Sequence, residues 1–366
     1  MNLELTEEQL ALRSTVRRFL AERAGVAEHV RPLLDDPCGS TAQVWRGLAG
    51  LGINGLLVPE EFGGAGMGMV EAGIVLEELG AVVNPGPWQS TAVASVRALT
   101  RSEAGGEEAA TLLAGIAGGS AVVTVGPLDP AAERPVASSG AGGTVISGVA
   151  DLLDAAAADT VLVPATDGGR PGLYAVDADG GGISSVSRGG IDPTRKQFRC
   201  TFTDAPARRL AFVTPQSARA LLDDVLVAMA ADAVGAARAA LEIAVEHAKV
   251  RNQFGHPIGS FQAVQHMCAD MFETVELARS GVLYGLWAAD HADPAERHLA
   301  AVRAKAFAGR LTSVGDTAVQ VVGGLGFTWE HDLHLYLKRL LSWSAYLGAP
   351  DRYLLELGSR LVRSVT

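Results

Sequence analysis

The sequence predicts an α+β chain in three parts: helices first, a sheet in the middle, and helices again to the end. Three observations carry this. Apolar residues recur at helical spacing through the first third of the 366 residues. Short β-rich runs separated by Gly, Asp and Pro clusters fill residues 119–213. Long alanine-rich helical patterns return from residue 214. The predicted domains are therefore 1–118, 119–213 and 214–366.

In order, "LTEEQLALRSTVRRFLAERA" has Thr6 as an N-cap, acids in its first turn, and Leu10, Leu12, Val16, Phe19 and Leu20 near helical spacing. A second helix through "AQVWRGLAGLG" stops at Gly52. "LLVPEEFGGAGMG" is broken by Pro59 and a glycine loop, so its acids Glu60 and Glu61 read as structural. "MVEAGIVLEELGAVV" resumes the helical period, and "NPGPW" ends it. "SAVVTV", "TVISGV", "DTVLVPA", "GLYAVDA" and "QFRCTFTDA" then read as strands. With no long helix between them, a small antiparallel sheet is expected rather than βαβ units. "PQSARALLDDVLVAMAADAVGAARAALEIAVEHAKV" reads as one very long helix rich in small residues, which allow close approach. Two further helices and a final one after "GGLGFTWEHD" complete a predicted four-helix bundle.

Composition limits the function. The apolar fraction of 48% is mostly Ala, Val and Leu, and aromatics are 5%. A net charge of −11, a pI near 5.2 and no basic block argue against nucleic acid as a partner. Cys38, Cys200 and Cys268 are widely spaced, without a CxxC pair, and suit a reducing compartment. The N-terminus turns polar at once, and the longest apolar region is interrupted by Asp232 and Arg238. These features lead us to expect a cytoplasmic protein with no membrane span.

Two segments stand out chemically. "RNQFGHPIGSFQ" sets Arg251, Phe254 and Gln262 just after the long helix: an anion donor, an aromatic wall and an amide. A guanidinium can grip a pyrophosphate bidentately. The plainer reading is a helix C-cap followed by a proline turn. "QVVGGLGF" puts Gln320 before Gly323 and Gly324, where backbone N–H groups could approach a phosphate or an adenine edge. No strand precedes it, so it is not a dinucleotide fingerprint, and a helix C-cap remains open here too. His331 and His334, with Glu330 and Asp332 beside them, show no third metal ligand at suitable spacing, so packed histidines and helix-start acids are expected, with no metal site.

Taken together, "LTEEQLALRSTVRRFLAE", "WRGLAGLGINGLLVPEEFGGAGMG", "EELG", "RNQFGHPIGSFQAVQHMCADM" and "QVVGGLGFTWEHDLHLYLKR" resemble the acyl-CoA dehydrogenase family from end to end. The resemblance implies a helical N-terminal domain, a middle β domain, a C-terminal four-helix bundle and FAD at a subunit interface. It implies that Arg251, Phe254, Gln262, Gln320, Gly323 and Gly324 reach the adenosine and pyrophosphate end of a neighbour's FAD.

The sequence departs from the family elsewhere. The Thr-Glu and Gly-Ser-Asp loop and the Trp-Ile-Thr strand that face the flavin ring are replaced by "VVTVGPLDPAAERPV" and "GVADLLDAAAADTVLV". Leu347 or Gly348 stands where the family's catalytic glutamate is expected, and an alternative base position in the long helix falls near Val225, beside Asp223 and Asp224. Glu356 is the nearest downstream acid and reads as a surface residue. Dehydrogenation next to a thioester needs a base for the α-proton while hydride leaves the β-carbon. We therefore expect no catalytic residue here. The resemblance points to the non-catalytic subunit of an α2β2 enzyme acting on an acyl-CoA, as in steroid side-chain degradation and lipid metabolism, with an electron-transferring flavoprotein as acceptor. Two rivals remain: a self-sufficient homo-oligomer using Asp224 as base, and a flavin-free scaffold.

Overall fold

The computed structural model describes residues 4–141 and 143–365, with the backbone alone for 363–365; the first three residues of the polar N-terminal stretch lie outside the described residues. Helix α1 (Glu7–Arg23) starts with a capping box: the Thr6 hydroxyl accepts from the Gln9 N–H, and the Gln9 side chain accepts from the Thr6 N–H. Helices α2 (Ala42–Gly50), α3 (Met69–Ala81), α4 (Val96–Arg101) and α5 (Gly106–Gly118) follow. Glu60 and Glu61 are exposed in a short turn before α3, where Gly64 is required because a Cβ would lie 2.0 Å from the Val58 carbonyl oxygen.

The chain forms two compact units. One comprises residues 31–72 and 85–225 and holds the sheet; the other comprises residues 1–30, 73–84 and 226–366.

In the first of these, the strands are β1 (Val123–Val125), β2 (Val136–Gly140), β3 (Gly143–Leu153), β4 (Thr160–Asp167), β5 (Arg170–Asp177), β6 (Ile183–Ser187) and β7 (Gln197–Phe212). Pairings β4–β5, β5–β7, β7–β3, β3–β2 and β2–β4 close on themselves, so these strands form a ring, with β1 and β6 added outside it. Closure covers the strand edges. Most pairs are antiparallel, as the alternating runs suggest. The sheet is nevertheless mixed, because β1 and β2 both run parallel to β4. Alternate residues fill the interior: Ile146, Ala150 and Leu152 from β3, Phe198, Cys200 and Phe202 from β7. Burial pushes the Cys200 thiol up to about 11, which keeps it protonated, and the three cysteines are free.

The second unit is helical. The long helix α6 (Pro215–Val250) contributes its part from residue 226. Then come the two-residue strands β8 (Asn252–Gln253) and β9 (His256–Pro257), and α7 (Gln262–His291), α8 (Pro294–Ala308), α9 (Leu311–Val322), α10 (Leu333–Ala345) and α11 (Pro350–Val365). The C-terminal part is thus helical as expected, but it is cut into more segments than a four-helix reading supplies. The run read as one helix breaks at Gly309, where a Cβ would sit 2.3 Å from the Pro350 ring. Small residues do bring helices together. A Cβ on Gly235 would lie 1.8 Å from the Glu77 carbonyl oxygen, and one on Gly80 would lie 2.0 Å from that of Asp232, so α3 and α6 meet backbone to backbone. The "EELG" carboxylates Glu77 and Glu78 are buried there, with Arg13, Arg17, Arg238 and Arg279 around them. Buried charges persist when paired in this way. Buried Arg339 donates to both Asp232 oxygens at 3.1 Å and to the Asn84 carbonyl at 3.0 Å.

Candidate functional site

Helix α6 ends in a basic turn containing His247 and Lys249, and Arg251 follows it. From there the chain reverses in a two-residue hairpin, with Asn252 opposite Pro257 and Gln253 opposite His256. Phe254 and Gly255 form its tip at φ 53° and 82°. Such turns favour Asn-Gly, because both central residues need positive φ. A phenylalanine in the left-handed region costs about 1–2 kcal/mol. Phe254 is nevertheless 90% exposed, touching Phe261 edge to face with ring centroids 6.1 Å apart. The Ile258 N–H donates to the Arg251 carbonyl at 2.7 Å and closes the hairpin. Gly259 lets the returning chain lie on α6, since its Cβ would be 3.0 Å from the Ala248 carbonyl oxygen.

The Arg251 guanidinium points into solvent, and among the described residues no carboxylate pairs with it, unlike Arg13, Arg17, Arg238, Arg279 and Arg339 of the same unit. Gln262 is exposed at the start of α7, where no side chain caps the helix. An uncapped helix start with an arginine near it suits an anion.

Gln320 is exposed near the end of α9, and Gly323 turns the chain at φ 75°. A Cβ on Gly323 or Gly324 would meet nothing within 4 Å. Gly323 is explained by its backbone angle. Gly324 has neither a positive φ nor a close neighbour, so its bareness leaves the backbone open to a group from outside the chain. Leu325, Phe327 and Trp329 next to it are exposed.

His247 ties the two segments together. Burial lowers its pKa, and the charges of His331 and Arg251 lower it further. Residues of the hairpin and of the turn after Gly324 therefore both act electrostatically on one imidazole. Sequence reasoning missed this pair of histidines, although His247 lies one helical turn before Arg251. The His331 Nδ1 accepts from the Leu333 N–H at 3.1 Å, while His334 is buried and stacks on Trp329 with centroids 4.9 Å apart. Among the described residues no group of three or more ligating side chains could hold a metal ion.

Comparison with known proteins shows the family of the chain. Residues 6–115 match the family model for the acyl-CoA dehydrogenase N-terminal domain, and residues 217–361 match that for the C-terminal domain. The chain is 32% identical over 365 residues to the acyl-CoA dehydrogenase IpdE2 of Mycobacterium tuberculosis, covering 98% of both. The chain belongs to the acyl-CoA dehydrogenase family. Among solved structures it resembles a chain of the Tcur3481-Tcur3483 steroid ACAD, in variant form, at 32% identity and TM-score 0.87, covering 98% of this chain and 99% of that one. It also resembles a chain of the ChsE4-ChsE5 complex from Mycobacterium tuberculosis at 26% identity and TM-score 0.88, covering 99% of each. Acyl-CoA dehydrogenases act on a CH–CH bond of an acyl-CoA and bind FAD. Among the described residues no helix is long and apolar enough to cross a membrane.

The two positions at which the family resemblance led us to expect a base carry apolar residues or glycine. Val225 is buried. Its neighbour Asp224 is also buried, with both oxygens engaged by Arg101 at 2.8 and 3.0 Å and Arg97 at 3.5 Å. Leu347 is buried at φ 57°, followed by Gly348 at φ 109°. The turn holding it is fixed within the chain. Lys305 Nζ donates to the carbonyls of Trp343 at 2.7 Å, Ser344 at 3.2 Å and Tyr346 at 2.9 Å, and lies 4.1 Å from the centre of the Trp343 ring. Tyr353 donates its hydroxyl to the Leu347 carbonyl. Glu356 is bound by His298 at 2.8 Å and Arg360 at 2.7 Å.

In the segments expected from the resemblance to stand in place of ring-facing motifs, the hydroxyls of Thr124 and Ser90 bond within the chain. The Thr124 hydroxyl donates to the Leu153 carbonyl at 2.6 Å, and Ser90 donates to Asp154 at 2.6 Å. Asp151 is held below the usual carboxylate range by its bonds from Arg199 and by Arg188, against the effect of burial. Leu152 is packed inside the sheet ring. The hairpin and the glycine turn are open to solvent, whereas the hydroxyls of Ser90 and Thr124 are engaged within the chain.

Proposed function

We propose that this chain is the cofactor-sharing subunit, without a base of its own, of a heteromeric acyl-CoA dehydrogenase. Arg251 and the start of α7 at Gln262 would hold the pyrophosphate. Phe254 would wall the adenosine, and Gln320 with the bare backbone of Gly323 and Gly324 would approach its edge. An unlike acyl-CoA dehydrogenase chain would supply the base and most of the acyl-CoA pocket in an α2β2 assembly. Bound there, FAD would supply the hydride acceptor for the β-carbon, and a base would be needed for the α-proton. This chain's residues would orient the cofactor and exclude water from its far end.

The observation that carries the reading is a contrast within one chain. The cofactor-type groups are exposed and open, while both base positions are buried leucine or valine. The steroid ACAD and ChsE4-ChsE5 neighbours add weight to a heteromer and make a steroid side-chain CoA ester the candidate substrate. An electron-transferring flavoprotein is the acceptor we propose, and the three domains are taken as 1–118, 119–213 and 214–366.

The test is the visible flavin absorbance of this chain purified alone and then with an unlike partner chain. Colour in the complex alone, at about one FAD per pair of chains, is expected for a site built from two half-sites. A flavin-bearing lone chain that dehydrogenates an acyl-CoA would overturn the reading.

A further inference from the structure

The turn after Gly324 holds an aromatic ring that neither the fold nor the proposed cofactor grip uses. Trp329 is 59% exposed, whereas Trp45, Trp88 and Trp343 are buried and Trp287 is half-buried. An indole carries a large apolar area, so leaving it in water forgoes a large burial gain. The ring is nevertheless held in place. The Thr328 N–H and hydroxyl both donate to the Leu325 carbonyl, at 3.0 and 2.9 Å, and the His331 N–H donates to the Thr328 carbonyl at 3.3 Å.

Helix α10 backs this ring with two side chains. The buried His334 imidazole stacks on the indole, with centroids 4.9 Å and planes 19° apart. Lys338, one turn further on, brings its Nζ to 5.1 Å from the indole centre, within cation–π range. Residues four apart share a helix face, so both press on the ring from the α10 side. Gly326 sets the ring beside the end of α9. A Cβ there would lie 3.4 Å from Leu333, at the start of α10, and 3.5 Å from Val319, the neighbour of Gln320.

We propose that Trp329 is a stacking platform for the adenine of an adenosine diphosphate group, with Lys338 drawing in its phosphates. A fixed aromatic face suits a flat heteroaromatic base, because every base offers a π-face. The charges fit the phosphates as well. In a chain of net charge −11 an anion needs a local cation, and among the described residues no carboxylate pairs with Lys338. Glu330 and Asp332 stand on the other side of His331, so they turn the phosphates toward Lys338. Two molecules of acyl-CoA dehydrogenase chemistry carry this group: FAD and the CoA thioester. The choice of ligand rests on the proposed function, whereas the platform rests on the packing of Trp329.

The experiment titrates the full-length chain, alone and in complex with an unlike chain, with ADP. Tryptophan fluorescence and binding heat are followed together. Trp329 is the most exposed of the five tryptophans, so quenching of the solvent-exposed emission is expected. Trp329→Leu should weaken ADP binding roughly 10- to 100-fold, and Trp329→Phe, which keeps a flat ring, by less than about 5-fold. Lys338→Met should flatten the salt dependence of ADP binding and leave that of adenosine unchanged. The 3′-phosphorylated form of ADP separates the two sources. Tighter binding of that form assigns the platform to the CoA end, and equal or weaker binding assigns it to FAD. Absence of quenching in both chain and complex overturns the proposal, as does an ADP affinity that Trp329→Leu leaves unchanged. A colourless complex marks failure of the flavin reading. A coloured complex whose ADP affinity ignores Trp329 marks failure of this one.

Discussion

Two turns of the helical unit each hold a bulky apolar residue in the left-handed backbone region, and they treat it in opposite ways. Phe254 at φ 53° is 90% exposed at a hairpin tip, supported by an edge contact with Phe261. Leu347 at φ 57° is buried, and its turn is bonded by Lys305 and Tyr353. Backbone strain persists when the surroundings over-determine it. At Leu347 the surroundings belong to the chain itself. At Phe254 they are incomplete, and this asymmetry is what the proposed cofactor role of the hairpin would use.

The largest expected effect tests whether the carboxylate beside the other base position is structural. Asp224→Asn should destabilise the chain by roughly 3 kcal/mol, because it leaves Arg101 and Arg97 without their buried anion. Chemical denaturation measures this. A variant as stable as wild type but without turnover would restore Asp224 as a base and break the contrast.

Lys305→Met comes next. It removes a donor from three carbonyls, for an expected loss of about 2–3 kcal/mol, while flavin retention by the complex is unchanged. A pH series sharpens the test. Burial lowers the Lys305 pKa from 10.5 to about 7 in the folded chain, so the unfolded chain binds more protons between these values. The stability linked to this group is full above pH 10.5 and is lost as pH falls through 7, with a slope of at most ~1.4 kcal/mol per pH unit. Melting curves of wild type should show that slope, and those of the variant should lack it.

Arg251→Ala should leave the stability of the lone chain within about 0.5 kcal/mol, since the side chain is exposed and unpaired. Flavin retention by the complex should fall on the order of 10- to 100-fold, as for a lost charged hydrogen-bond pair. Dialysis followed by absorbance reads it, and unchanged occupancy would count against the hairpin as a cofactor element. The smallest effect on folding is Phe254→Asn. Relief of left-handed strain and loss of the Phe261 contact nearly cancel, leaving less than ~1 kcal/mol, while flavin retention still drops.

Much of the fold was legible because its signals are local. The Thr6 cap, the alternation in "QFRCTFTDA" and the period of the long helix each act within a few residues. The close packing at Gly309 was not, because its neighbour there is Pro350, far along the chain. Parallel pairing of β1 and β2 with β4 was hidden for the same reason, since strand direction depends on which distant run becomes the neighbour. Nothing in the sequence singled out Lys305, and only packing put it under three carbonyls.

By itself the sequence determined the order of helices and strands, the residue types of the two chemically distinctive segments, and that Leu347 and Gly348 stand where the resemblance leads us to expect a glutamate. Periodicity, capping and residue chemistry are written residue by residue, so these survive without coordinates. The tertiary structure decided which of those residues face outward. It left Arg251 exposed while pairing Arg13, Arg17, Arg238, Arg279 and Arg339 of the same unit, sealed Leu347, brought the charges of Arg251 and His331 to bear on His247, and left Gly281 and Gly358 beside open space. Exposure and pairing are set by neighbours distant in sequence, and only the packed chain brings those neighbours together.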